Sequence, residues 1–351
     1  MYYRRKIVLT IAAMVSMVAL GGCSATTGAN GAGANSEGEA FTLKLGMEVA
    51  TTAPLYAGAE KFKEILEQSS EGRITVEIFP SSQLGSENQM MGQVSSGALD
   101  IVTTSPAGAS NLYPDAAILA FPYVLNGDDE ASHYASLVKA SNSDVVAEMT
   151  EEMAAETGIR VLDWTWWYGD RHITNSVGPI NTVADIEGLK LRVPDAPIYF
   201  MAPKALGAAV TPLAFAELYL ALGTGTVDGQ ENPLAVIESQ KFFEVQDHLA
   251  LTGHMSQAQL FAFSEDVWSG ISAADQALIA EAAKQGGVFT SELTIEQNNA
   301  ALNRLEEAGM KITNPDVAEL RKAVAGAAEE WAESNSDFNL DRYEAFVAAQ
   351  N

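Results

Sequence analysis

The sequence predicts an α/β protein of two domains, on three observations. From Phe41 the hydrophobic pattern runs strand, helix, strand, helix, strand, the order of a parallel sheet with right-handed crossovers. About 310 residues lie between Phe41 and the C-terminus, more than one compact core usually holds. From Ser272 onward helical patterns dominate.

Phe41–Glu48 (FTLKLGME) alternates apolar and polar residues and reads as a strand. Over 55–70, Ala59, Phe62, Ile65 and Leu66 recur on one helical face. Arg73–Phe79 alternates again until Pro80 closes it. Residues 86–95 read as a second helix, and 99–104 as a short apolar strand. A further strand covers 159–168, with Trp164 and Trp166 on one face and Trp167 on the other. Residues 181–190 hold a turn and a short helix. In the strand 188–194 (GLKLRVP), Leu189, Leu191 and Val193 share one face, and Lys190 and Arg192 the other. Helices are expected over 197–206 and 213–222, with a short strand at 209–211. Ser272 is a helix N-cap with Asp275 at the third helical position. A long polar helix over 289–307 ends at Gly309, and Pro315 opens a last helical stretch to about Trp331.

At the N-terminus, Arg4, Arg5 and Lys6 precede fourteen uncharged residues, Ile7 to Leu20. That run is too short to span a bilayer and matches the apolar region of a secretory signal. Leu20-Gly21-Gly22-Cys23 follows, and Cys23 is the only cysteine. This stretch resembles the lipobox of bacterial lipoproteins. The resemblance implies that residues 1–22 are a signal peptide, and that a lipid on Cys23 anchors the protein to the extracytoplasmic face of a membrane. The small, Gly-rich stretch 23–40 then acts as a flexible tether, with a reach of about 20–25 Å.

The chain carries 20 Lys and Arg against 46 Asp and Glu, a net charge of −26. Loss of Arg4, Arg5 and Lys6 with the signal leaves 17 cations against 46 acids, or −29. Such a balance excludes nucleic-acid binding, and any anionic ligand must find a local cation. The four histidines, His133, His172, His248 and His254, have no second ligand at helical spacing, so no metal and no cofactor is expected. There is no Gly-x-Ser-x-Gly elbow and no P-loop, and no carboxylate pair stands out as glycosidase acids would. The chain is therefore not expected to be an enzyme; a secreted carbohydrate-active enzyme is the alternative from another class. Arg171 and Arg192 stand out among few cations. A guanidinium on a buried strand needs a carboxylate, either the protein's own or a ligand's.

Read together, six stretches carry more: FPSSQLGSENQM (79–90), SSGALDIVTTSP (95–106), YGDRHITN (168–175), DIEGLKLRVPDAPIY (185–199), GAAVTPLAFAELYLAL (207–222) and TGTVDGQENPL (224–234). In this order the chain from Phe41 to its end resembles the solute-binding subunits of TRAP (tripartite ATP-independent periplasmic) transporters, the DctP family. The resemblance implies a clamshell of two α/β domains with a long C-terminal helix crossing both. The domains would be 41–168 with 258–297, and 169–257 with 298–351, hinged near Tyr168–Gly169. It also implies a monomer that captures an organic-acid anion and hands it to a permease of small and large membrane subunits.

The family's roles fall on matching positions. Arg192 would pair with the ligand carboxylate, Arg171 would be a second cation there, and Asn232 would complete the grip. Phe215 would pack beside the ligand and Glu87 would contact it from the first domain. Glu48 and Ser105, at strand ends, lie where ligand-facing residues occur. Tyr56, Trp166 and Trp167 are candidates for an aromatic wall against a sugar ring. The sialic-acid branch carries an acidic residue and an arginine just after the third strand. Here Ser105 and Gly108 stand there, which disfavours sialic acid. A sugar acid (uronate, aldonate or keto-gulonate) is the first expectation, and a C4-dicarboxylate or keto acid the alternative.

Overall fold

The computed structural model describes residues 38–351. The expected signal segment, Cys23 and most of the expected tether lie outside the described residues. In chain order the elements are β1 (Phe41–Gly46), α1 (Pro54–Ser69), β2 (Ile74–Phe79), α2 (Glu87–Ser95), β3 (Ile101–Thr104), α3 (Pro106–Ala109), α4 (Glu130–Ser141), α5 (Asp144–Thr157) and β4 (Ile159–Asn175). There follow β5 (Lys190–Val193), α6 (Met201–Ala205), β6 (Ala209–Pro212), α7 (Leu218–Gly223), β7 (Gly229–Asn232), α8 (Leu234–Ser239) and β8 (His248–Ser264). The chain closes with α9 (Glu265–Ser269), α10 (Ala273–Glu307), β9 (Lys311–Thr313), α11 (Val317–Ala323), α12 (Ala327–Ser334) and α13 (Leu340–Ala349).

The strands form one sheet in the order β2-β1-β3-β8-β4-β7-β5-β6, with β9 beside β8. Two parallel blocks lie within it, β2-β1-β3 and β7-β5-β6. Between them run β4 and β8, antiparallel to each other and each 17 residues long. The sheet is therefore mixed rather than purely parallel. The end of β8 pairs with β3, and its start pairs with β9. The end of β4 pairs with β7. Each parallel block is the sheet of one lobe, and the lobes share these two long strands.

β4 passes straight through Tyr168–Gly169, and a register shift falls between Trp167 and Gly169. Gly169 has φ +121°, where a Cβ would lie 2.5 Å from Asn298 Nδ2 and 2.9 Å from Pro233 Cβ. Only glycine fits both that backbone and that space.

The same irregularity re-aims the tryptophans. Register shifts between Val161 and Asp163, and between Asp163 and Trp166, break the simple alternation. Trp164 and Trp167 enter one core, while Trp166 enters the other. Trp164 donates to Thr150 Oγ1 on α5 (2.8 Å), and Trp167 to Glu130 on α4 (2.7 Å). Trp166 stacks on Phe261 at 4.7 Å and donates to the Ala283 carbonyl of α10 (3.1 Å).

α10 is 35 residues long, about 52 Å at 1.5 Å per residue. Ser272 caps it by accepting from the Asp275 amide (3.2 Å). It packs on α1, β4 and α8, so it touches both lobes. Its buried face recurs every three or four residues through Ala283, Gly287, Ser291, Thr294, Asn298 and Ala301. Asn298 ties the junction together: it donates to Glu130 (2.6 Å) and accepts from the Ala235 amide (2.7 Å). The C-terminal segment, expected with the second lobe, crosses back. In α13, Arg342 pairs with Asp115 (2.7 Å) and Glu152 (2.5 Å) of the first lobe.

Candidate ligand-binding site

The carboxyl ends of the parallel strands in both blocks point into one cleft, the place where open α/β sheets bind ligands. From the first lobe come Glu48 after β1, Glu87 at the start of α2, and Thr103 and Ser105 at the end of β3. From the second come Arg192 on β5, Phe215 after β6 and Asn232 at the end of β7. The shared strands add Tyr168, Arg171, Gln257 and Gln259. The narrow interior opens into an outer cavity of about 460 Å³, which also borders Glu48, Glu87, Arg192 and Phe215. Seven expected residues thus meet in one cleft: Arg192, Arg171, Asn232, Phe215, Glu87, Glu48 and Ser105.

The two arginines differ in state. Both are buried, at 2% and 1% exposure for Arg171 and Arg192. Arg171 is already paired. Its Nε and Nη2 hold the Glu231 carboxylate, and Nη2 also donates to the Glu231 carbonyl (2.7 Å). Nη1 donates to Gln257 Oε1 (2.6 Å). Of the five N–H groups a guanidinium carries, four are used and one remains. Burial alone would raise the Glu231 carboxyl, but Arg171 and His254 beside it hold it down at about 2.

Arg192 has no carboxylate within ion-pair distance among the described residues. Its Nε and Nη2 donate to one carbonyl, Leu213 (2.9 and 2.6 Å), and Nη1 has no partner. Burial pushes this guanidinium down to about 10, against the pull of Glu231 and Glu48. It stays charged at neutral pH. A buried, charged and partly unbonded donor in a cleft lacks only an anion. Phe215 lies 5.9 Å from its central carbon and helps shield it from water.

Opposite stand two carboxylates. Glu87 Oε1 accepts from Ser105 N (2.5 Å) and Thr104 Oγ1 (2.9 Å), and the Glu87 amide donates to Glu48 Oε1 (2.9 Å). Burial and then the Glu87 charge push the Glu48 carboxyl up to about 7. Gly108 lets Glu87 lie where it does: a Cβ there would sit 2.6 Å from the Glu87 carboxyl carbon.

Three expected residues are not in the cleft. Trp166 and Trp167 are spent in the two cores, as the bulges of β4 dictate. Tyr56 lies on α1 and donates to Glu60 (2.8 Å). The aromatic members of the cleft are instead Tyr168, Tyr199 and Phe215. Burial raises both phenols, so they are neutral at physiological pH. Sequence reasoning passed over Tyr199, Gln257 and Gln259. Tyr199 closes the DAPIY stretch, and Gln257 and Gln259 stand two apart on β8, the spacing of one strand face.

Residues 45–335 match the family of bacterial extracellular solute-binding proteins, family 7 (DctP). The chain is 36% identical over 293 residues to the sialic acid-binding periplasmic protein SiaP of Vibrio cholerae, covering 83% of this chain and 88% of that one. A TRAP periplasmic solute-binding protein from Polaromonas sp. JS666, solved with D-erythronate, is 33% identical with a TM-score of 0.80, covering 88% of this chain and 98% of that one. The sugar acid binding protein DctPAm of Advenella mimigardefordensis, solved with galactonate, is 28% identical with a TM-score of 0.82, covering 89% and 98%. The cleft between two parallel blocks, the long crossing helix and the family match agree: the chain belongs to the DctP family of extracellular solute-binding proteins, the extracytoplasmic subunits of TRAP transporters.

Proposed function

We propose that the protein captures a sugar-acid anion, such as an aldonate or uronate, and delivers it to a TRAP permease of small and large membrane subunits. The observation that carries this is Arg192, buried and charged, with Nη1 unbonded in a cleft whose other walls are hydroxyls, amides and carboxylates. The ligand carboxylate would sit on Arg192, with the remaining N–H of Arg171 and the amide of Asn232 beside it. Glu48, Glu87 and Ser105 would meet the rest of the ligand, and Phe215 would cover it. D-Erythronate and galactonate in the two solved relatives support a polyhydroxy acid. The sialic-acid relative's ligand is disfavoured here, because Ser105 and Gly108 stand where that branch carries an acidic residue and an arginine.

The lobes, 41–168 with 258–297 and 169–257 with most of 298–351, would close on the ligand by differential affinity for the closed state. The protein would act as a monomer, held to the membrane through a lipid on Cys23.

A thermal-shift screen against sugar acids, dicarboxylates and neutral sugars tests the reading. Ligand at 1,000 times its Kd adds about 4 kcal/mol to stability. Arg192→Ala should weaken binding of the identified acid by about thirty-fold or more, from loss of roughly 2–5 kcal/mol. Unchanged affinity by calorimetry, or hits confined to neutral sugars, would refute it.

A further inference from the structure

The cleft has opposite polarity at its two walls. The second lobe offers donors, led by Arg192 Nη1. The first lobe offers acceptors. Among the described residues, Glu48 Oε2 and Glu87 Oε2 take no hydrogen bond, since Glu48 and Glu87 use only their Oε1 atoms. Both carboxylates border the inner and the outer cavity. No lysine or arginine of the first lobe joins them there; the cations of the lining are Arg171 and Arg192. Thr103 Oγ1, on the same side, is buried with no partner.

We propose that Glu48 and Glu87 form a charge filter, which admits monocarboxylates bearing distal hydroxyl groups and excludes dicarboxylates of the same length. The inference rests on Arg192 being the carboxylate anchor. With one carboxylate of a ligand fixed on Arg192, the chain of the ligand extends toward the first lobe. Hydroxyl groups there donate to the two free oxygens, and each such bond to a charged acceptor is strong. A second ionised carboxylate brings only acceptors to acceptors, in a half-buried cleft that screens the repulsion less than bulk water does. The filter is held in register: Glu48 Oε1 is fixed by the Glu87 amide, Glu87 Oε1 by Ser105 and Thr104, and Gly108 keeps the space behind Glu87 open.

Titration calorimetry on the mature protein at about pH 8.5, where Glu48 too has lost its proton, with matched pairs tests this: galactonate against galactarate, and erythronate against tartrate. The unmodified protein should bind each monoacid at least about 100-fold more tightly than its diacid. Glu87→Gln and Glu48→Gln keep the shape and Oε1 and remove a charge. Each should weaken the monoacid and narrow the ratio to within about 10-fold. Equal affinity for the pair in the unmodified protein, or a ratio that neither variant moves, overturns the filter. The ratio in the unmodified protein decides the matter even if a variant folds poorly. Arg192→Ala run alongside separates the two readings. Loss of monoacid binding there, with an unaltered ratio in the glutamine variants, removes the filter and leaves the anchor. Retained binding in Arg192→Ala removes the anchor.

Discussion

Glu231 sits between Arg171 and His254, with 1% exposure, and it is what permits a guanidinium to be buried beside the ligand. Its removal strands that charge. Glu231→Ala is expected to cost about 3–5 kcal/mol of folding stability, measured by urea denaturation, because an unpaired ion remains in the interior. Glu130 works the other way. Burial, and then Asp170, push its carboxyl from the ordinary 4.5 up to about 7. The folded state thus holds a proton that the unfolded chain has released, so stability falls as pH rises from about 4.5 to about 7. Glu48, also raised to about 7, adds to the same slope. Denaturation at a series of pH values should show that decline, and Glu130→Gln should flatten it. That Arg192 and Asn232 would line one cleft was legible in LRVP and QENP. That Arg171 already has a partner was not, because the pair joins residues 60 positions apart across two strands.

At the scale of elements, the joint between β4 and α10 decides much of the packing. The indole of Trp166 lies over Gly286 and Gly287, where added Cβ atoms would come within 3.0 and 2.7 Å of it. Gly287→Ala gains helix propensity and still should destabilise by about 1–3 kcal/mol through overpacking, read as a shifted urea midpoint at constant slope. The sequence hid this joint in two ways. The bulges of β4 break the period of two, so alternation wrongly paired Trp164 with Trp166. Apart from Asp275, Ile279 and Leu305, the buried face of α10 is made of Ala, Gly, Ser, Thr and Asn, so the helix reads as polar although one stripe of it is interior. β8 escaped notice for a related reason. Thr252, His254, Ser256, Gln257 and Gln259 interrupt its apolar run, yet all are buried at the cleft and the junction. By contrast β1, α1, β2 and α2 were plain, because each has one face on a core and one toward water, and β3 was plain as a short apolar run buried on both faces.

Across the whole molecule, the lobes meet at the mouth of the cleft as well as at the junction. Asn88 Nδ2 and Asn111 Nδ2 of the first lobe both donate to the Asp195 carbonyl of the second (3.1 and 3.3 Å). These contacts bridge the two lobes across the cleft. Replacing both asparagines with alanine should speed ligand release by roughly tenfold, two hydrogen bonds at about 0.5–1.5 kcal/mol each, with little change in the association rate. Stopped-flow fluorescence would report both. The shared strands have a further consequence. A protein whose halves are joined by loose linkers can be cut in two, or have one half grafted elsewhere. Here β4, β8 and α10 each belong to both halves, and Asn298 of α10 joins Glu130 to α8. Neither half is a heritable module. Recombination between relatives can exchange the cleft's side chains, but it cannot exchange a lobe without breaking the ribbon on which that lobe turns.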